Sequence, residues 1–459
     1  MNTKENGKLK LSERLAYAIG GLPEVANSII AAFLTMFYTD NIGLAAGMVG
    51  TMFFISKLFD GISDLVAGTI VDHTRTKWGK ARPWLLWLSV PTGLSLALIF
   101  FIPQNGSSTM QLIYAFVTYN LYTTIMYTMT GIAKNALMPL MTQNMQERGI
   151  LSTFAMFVGL GGTILGCSFT FPLIFSLGGD IKAWRTLFMI YGALVTIGLL
   201  IGFFFTKEYV QSVESVTNEK AEAVSFLEGT KMFVKNKYLV LALVMTVVVN
   251  LMVQLGTCSQ TYFYTYSMGD PMLMTSLSLV GVVPTLISIA VLTGPCLMKF
   301  GKKKSMYIGA AGQMIGSIIK ALAALSLNVP VLIVGTVIGG LATGPLSVPV
   351  ATLASDGIDY GEFLFNKRIE GVGSAITSFS QKLSSGLAAA MVGWVLALTG
   401  YVANGVQNQA TNIGIISLFA IIPAVLEIII IILLKVFYHY DQEADKVLVE
   451  LERRKEQVK

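Results

Sequence analysis

The sequence predicts an all-α integral membrane protein whose twelve spans form two halves of six. Three observations carry that prediction. Hydrophobic residues make up 54% of the 459-residue chain and charged residues only 13%, against about 25% charged in a soluble domain. Apolar runs long enough to cross a bilayer, about 20 residues each, recur from end to end. The loops between them alternate sharply in basic charge, and the longest polar interruption falls near the middle.

The spans begin near residues 15, 47, 83, 109, 149, 184, 238, 272, 304, 330, 371 and 412, and the last ends near 437. Residues 1–14 are polar and the first apolar run has no small-residue cleavage site, so no cleavable leader is expected. One set of loops is basic: the N-terminal tail, residues 72–82, Arg148, the 207–237 segment, Lys302–Lys304, Lys367-Arg368 and the C-terminal tail. The other set holds only Lys182 and Arg185. The positive-inside rule then places both termini and the long segment in the cytoplasm of a cell-membrane protein. The net charge of +6 is thereby a topology signal, and no nucleic-acid partner is expected.

The charged stretch 207–237 divides the chain into a bundle at 1–206 and a second at 238–437, with a tail at 438–459. An even split of this kind is a two-halved transporter pattern. Glycine-rich runs at 159–166 and 335–344 are expected to let helices pack closely. Cys167, Cys258 and Cys296 sit in apolar segments without paired spacing and read as small hydrophobes. Tyr262, Tyr264 and Tyr266 alternate near the outer end of the seventh span, as an interfacial aromatic belt would.

Charge inside the membrane is where function is expected. In the second span Lys57, Asp60 and Asp64 follow i, i+3, i+7 spacing, flanked by Ser56 and Ser63, so one helix face carries all three ionisable groups. Two carboxylates one turn apart do not both ionise in a dry site unless a proton or a cation such as Na⁺ neutralises them. Carboxylate and hydroxyl oxygens suit either, so this face reads as a coupling-cation site. Glu24 and Lys382 are the other charges hard to assign to structure alone. Lys134 and Lys320 are read as snorkelling toward span ends, and Glu427 is left unassigned.

The motifs Asp60-Gly61-Ile62-Ser63-Asp64, Asp72-His73-Thr74-Arg75 with Trp78-Gly79-Lys80-Ala81-Arg82-Pro83-Trp84, Phe37-Tyr38-Thr39-Asp40, Asp356-Gly357-Ile358-Asp359-Tyr360-Gly361-Glu362, and Phe379-Ser380-Gln381-Lys382 resemble the glycoside–pentoside–hexuronide:cation symporters along the whole chain. The resemblance implies the major facilitator fold, two six-helix bundles around a central cavity. It implies a cation site at Asp60, Ser63, Asp64 and Thr128, with Lys382 facing it, and a sugar-contacting carboxylate at Glu24. Ser63 stands where a member of that family has asparagine, which leaves both Na⁺ and H⁺ open.

Much of the sugar site departs from the family pattern. Gly131 replaces a carboxylate, Asn135 an aromatic residue, Ala155-Met156 an arginine and Ser347 a tryptophan. Remaining candidates for solute contact are Asn27, Tyr127, Asn250, Gln254, Gln260, Thr377 and Ser378. The resemblance further implies a cytoplasmic gate of ion pairs drawing on Asp72, Arg75, Arg82, Asp359, Glu362 and Arg368. The reading is therefore a symporter importing a glycoside, pentoside or hexuronide with H⁺ or Na⁺, monomeric in the bilayer and without a cofactor. The alternatives are a cation-coupled carrier of a non-sugar organic solute and a non-transporting membrane sensor. An enzyme is disfavoured, because His73 and His439 are the only histidines and no nucleophile–base pair or metal motif is present.

Overall fold

The computed structural model describes residues 9–210, 226–365 and 370–441 and parts of the tail beyond; the side chains of 61, 62, 65, 226–230 and 370–377 lie outside the description. Among the described residues the chain is helical apart from one isolated bridge, Thr76 to Gly79. It divides into two compact units, Met1–Asn218 with Tyr401–Val406, and Glu219–Gly400 with Gln407–Lys459.

In the first unit the helices are α1 (Leu11–Ile19), α2 (Leu22–Met36), α3 (Ala46–His73), α4 (Arg82–Trp87), α5 (Ser89–Leu98), α6 (Ser108–Asn120), α7 (Thr128–Met141), α8 (Met145–Ser176) and α9 (Ile181–Phe205). In the second they are α10 (Phe226–Lys235), α11 (Lys237–Tyr262), α12 (Leu273–Ile287), α13 (Thr293–Ser326), α14 (Val329–Ala351), α15 (Leu353–Phe365), α16 (Glu370–Leu398), α17 (Gln409–Ile416) and α18 (Ile422–Val436). Eight described stretches are long and apolar enough to cross a membrane, one of them the 54 residues Leu273–Ser326. That stretch covers two expected spans, and Gly301, at φ +78°, is the non-helical residue between them.

The first span is broken rather than continuous. Gly20 and Gly21 part α1 from α2, and Pro23 in the first turn of α2 tolerates the new start because its missing N–H has no partner to lose there. The same span ends on a π-helical turn, Phe37–Asn41, in which the Ile42 N–H bonds to the Phe37 carbonyl at 3.2 Å and Leu44 to Tyr38 at 2.9 Å. The seventh span repeats this at Phe263–Ser267: Met268 bonds to Phe263 at 3.0 Å and Asp270 to Tyr264 at 3.0 Å. Gly43 and Gly269 follow at φ +83° and +73°, conformations that favour glycine. Each unit thus closes its first span with the same Phe-Tyr-Thr turn. Packing inside the unit holds Tyr262 and Tyr264, at 1% and 5% exposure, so they do not form the expected interfacial belt.

Backbone contact through glycine sets helix pairs on both sides. A Cβ on Gly93 would stand 2.3 Å from the Gly192 carbonyl oxygen, and one on Gly192 would stand 2.4 Å from that of Gly93, so α5 and α9 meet main chain to main chain. In the second unit Gly316 and Gly335 do the same for α13 and α14. An aromatic core fills the first unit, with Phe37 4.7 Å from Phe100 and 5.3 Å from Trp184, ring centre to ring centre. Of the glycine-rich run at 159–166, Gly162 and Gly166 abut Val25 and Ile29, while Gly159 and Gly161 face open space.

Basic-side loops of the first unit are tied by carboxylates. Glu147, at the start of α8, takes Arg14 in a fork, with Nη2 2.8 Å from Oε1 and Nε 3.2 Å from Oε2. Glu208, just past α9, accepts the backbone N–H groups of Lys80, Ala81 and Arg82, each at 2.9 Å, and so caps the N-terminus of α4.

Candidate functional site

The charged face of α3 is built inward from Asp60. It is 3% exposed, and a buried carboxylate needs donors to offset its lost hydration. It has them. Lys57 Nζ lies 2.7 Å from Oδ2, one turn back on the same helix. Thr124 donates its hydroxyl to Oδ1. Thr124 also sits 3.1 Å from the Asn120 side-chain oxygen, and Asn120 in turn donates to Ser56 Oγ at 2.8 Å. The Lys57 ammonium stands 5.6 Å from the Tyr119 ring centre. One chain of polar contacts therefore runs Lys57–Asp60–Thr124–Asn120–Ser56 between α3 and the fourth span.

Sequence spacing named Asp60, Asp64 and Ser63 but missed Thr124 and Asn120. Their signal was present: Asn120, Thr124 and Thr128 are spaced i, i+4, i+8 in an apolar run. The π-helical stretch Leu121–Tyr127 shifts the register there. Thr128 consequently donates to its own backbone at Thr123, 3.2 Å away, and Thr124 is the residue that reaches Asp60. Ser63 donates to the Asp60 carbonyl at 3.0 Å, and Asp64 lies half-buried one turn on.

A second polar cluster lies at the break in the first span. Glu24 stands in the first turn of α2, where the helix dipole favours a carboxylate, and its side chain is 66% exposed. Lys134 Nζ approaches Glu24 Oε2 to 3.9 Å and the Tyr17 ring centre to 5.6 Å. It is buried, 9% exposed, which overturns the snorkelling expectation. The space it fills is the one a side chain on Gly21 would need, since a Cβ there would come within 2.3 Å of Nζ. Along α7, Gly131 faces open space and Asn135 is exposed, while Asn27 and Tyr127 are half-buried.

In the second unit Lys382, Gln254, Gln260 and Ser347 are half-buried, Ser378 is exposed, and Asn250 donates to the Thr246 carbonyl at 2.9 Å. Thr377 and Arg368 fall outside the described side chains. Of the expected gate residues, Asp72 and Arg75 are exposed, and Asp359 and Glu362 half-buried. Arg82 is committed inside its own unit, donating to the Phe203 carbonyl at 2.7 Å and covering the Phe203 ring. Lys320 lies 5.3 Å from the Phe419 ring centre, and Glu427 is 1% exposed with one carboxyl oxygen lacking a hydrogen-bond partner among the described residues.

Comparison with known proteins agrees with this architecture. The family model described as MFS/sugar transport protein matches residues 16–442. An isoprimeverose transporter of Lactiplantibacillus pentosus is 31% identical over 96% of this chain and 91% of its own. A glucuronide carrier protein homolog of Escherichia coli is 26% identical over 98% and 97%. Among solved structures, a D-xylose–proton symporter superposes with a TM-score of 0.64 at 15% identity, covering 91% of this chain and 96% of that one.

Proposed function

The chain belongs to the MFS/sugar transport family, a multi-pass membrane transporter and not an enzyme, and on that premise we propose how it couples a cation to its solute. The observation that carries the proposal is the buried cluster around Asp60. Its carboxylate is neutralised by Lys57 and hydrogen-bonded by Thr124, with Asp64 one turn away. H⁺ or Na⁺ binds at this face, with Asp60 and Asp64, and in doing so competes with Lys57 for Asp60. Lys382 is assigned a part in coupling, as the family resemblance implies.

The solute is a glycoside, pentoside or hexuronide, taken by the Glu24 region together with Asn27, Tyr127, Gly131 and Asn135 and by Asn250, Gln254, Ser347, Thr377 and Ser378. Cation binding stabilises the state that holds solute well, and the linkage is reciprocal. Both termini and the 207–237 segment lie on the cytoplasmic side, as the loop charges support, and Asp72, Arg75, Asp359, Glu362 and Arg368 contribute to closure there.

Reconstitution in liposomes tests this. Glycosides, pentosides and uronides are screened under imposed pH or Na⁺ gradients. Accumulation driven by one gradient and lost in Asp60→Asn is expected. Gradient-driven uptake that survives Asp60→Asn refutes the coupling role.

A further inference from the structure

We propose that Lys134 and Glu24 act together as a charge-balanced clamp for hydroxyl groups, which makes this transporter select uncharged sugars over sugar acids. The inference rests on the solute-site reading above and adds a residue to it. Lys134 is nine-tenths buried yet has no hydrogen bond from Nζ to any described residue, so the ammonium keeps three donors to offer. Its one ionic neighbour among the described residues, Glu24, stands at 3.9 Å, too far for a hydrogen bond, and turns most of its side chain outward. A buried charged donor without an acceptor is costly. It is also a place waiting for an oxygen.

The surroundings fix where that oxygen comes from. Tyr17 and Gly21 close off Lys134 on the side of the first span, and Gly131, one turn earlier on α7, leaves space open. A solute entering beside Glu24 meets a carboxylate that accepts from a hydroxyl and an ammonium that donates to the neighbouring hydroxyl oxygen. Vicinal hydroxyls of a sugar ring present that donor–acceptor alternation.

Charge then decides between sugar classes. Lys134 and Glu24 cancel, and Lys57 is already spent on Asp60. A carboxylate on the solute would find no uncompensated positive charge in this cluster and would meet Glu24 directly. An uncharged ring has neither problem.

The test uses matched probes differing only at one carbon, methyl glucoside and methyl glucuronide, with methyl xyloside as a third. Uptake by proteoliposomes and ligand-induced thermal shifts of detergent-solubilised protein are both read. The wild type is expected to favour the uncharged probes. Glu24→Gln keeps a hydrogen-bonding side chain but leaves Lys134 unopposed, so the uronide-to-glucoside ratio should rise on the order of tenfold. Lys134→Met should weaken every probe and the uronide most, and Lys134→Arg should restore the uncharged ones; thermal unfolding without ligand shows whether each variant is folded. Uptake with an unchanged ratio in Glu24→Gln, or a wild type that prefers the uronide, overturns this inference alone. If no probe binds or moves, the sugar-transport reading fails and this inference falls with it.

Discussion

Lys57 holds Asp60 across one turn of a single helix, 2.7 Å from ammonium nitrogen to carboxylate oxygen, with both side chains largely buried. Removing one partner of such a pair leaves the other charge uncompensated, at roughly 3–5 kcal/mol. Lys57→Met should therefore lower the thermal unfolding temperature clearly, while Lys57→Met combined with Asp60→Asn recovers most of it. Uptake should be lost in both. A double variant no more stable than the single would mean that the pair is not where the cost arises.

Thr124 and Thr128 offer a sharper contrast, because they have the same chemistry one turn apart and only Thr124 donates to Asp60. Thr124→Val removes that donor from a buried carboxylate, worth about 1.5–3 kcal/mol for a hydrogen bond to a charged group. The cation concentration giving half-maximal uptake should shift by on the order of tenfold or more. Thr128→Val loses only a bond to its own backbone and should shift it little. Cation titrations of the two variants side by side decide the matter.

Much of the architecture was legible in the sequence because the bilayer imposes it. Span length and loop charge follow from hydrocarbon thickness and the cost of moving basic residues across it. The face carrying Asp60 was legible for the same reason, since ionisable groups are too costly in an apolar run to persist there without binding or pairing with something. What escaped was whatever depends on breaks in regular helix. The π-helical stretch Leu121–Tyr127 leaves Thr124, and not the Thr128 that the family resemblance implied, bonded to Asp60. The missing side chain of Gly21, at the break in the first span, leaves the space that Lys134 occupies, so a residue expected at a span end is buried beside Glu24. The Phe-Tyr-Thr turn shared by residues 37–39 and 263–265 was an internal repeat in plain view, but too short to stand out before its hydrogen bonds matched.

Glu208 ties the loop before the third span to the end of the sixth by accepting three successive N–H groups. Nothing in the spacing of loop charges points to it, because its partners are backbone. Glu208→Gln retains shape but loses the charge that matches the α4 N-terminus, and Glu208→Ala loses the acceptor as well. The expected order of stability is wild type, then Gln, then Ala, with the Ala variant down by about 1 kcal/mol for part-buried donors that lose their acceptor. Thermal unfolding in detergent gives the order, and an Ala variant as stable as wild type would deny the cap any structural weight.

Gly192 gives the cleanest steric test. Its would-be Cβ meets the Gly93 carbonyl at 2.4 Å, an atom that cannot rotate aside, so even alanine must push α5 and α9 apart. Overpacking of this kind typically costs about 1–3 kcal/mol. Lipid supplies no hydrophobic drive to close the gap again. Gly161 faces open space on a helix of the same unit, and alanine there gains helix propensity without meeting a neighbour. Gly192→Ala should lower the unfolding temperature and Gly161→Ala should leave it unchanged or slightly raised. Equal effects from the two would show that glycine content, and not the α5–α9 contact, is what the unit requires.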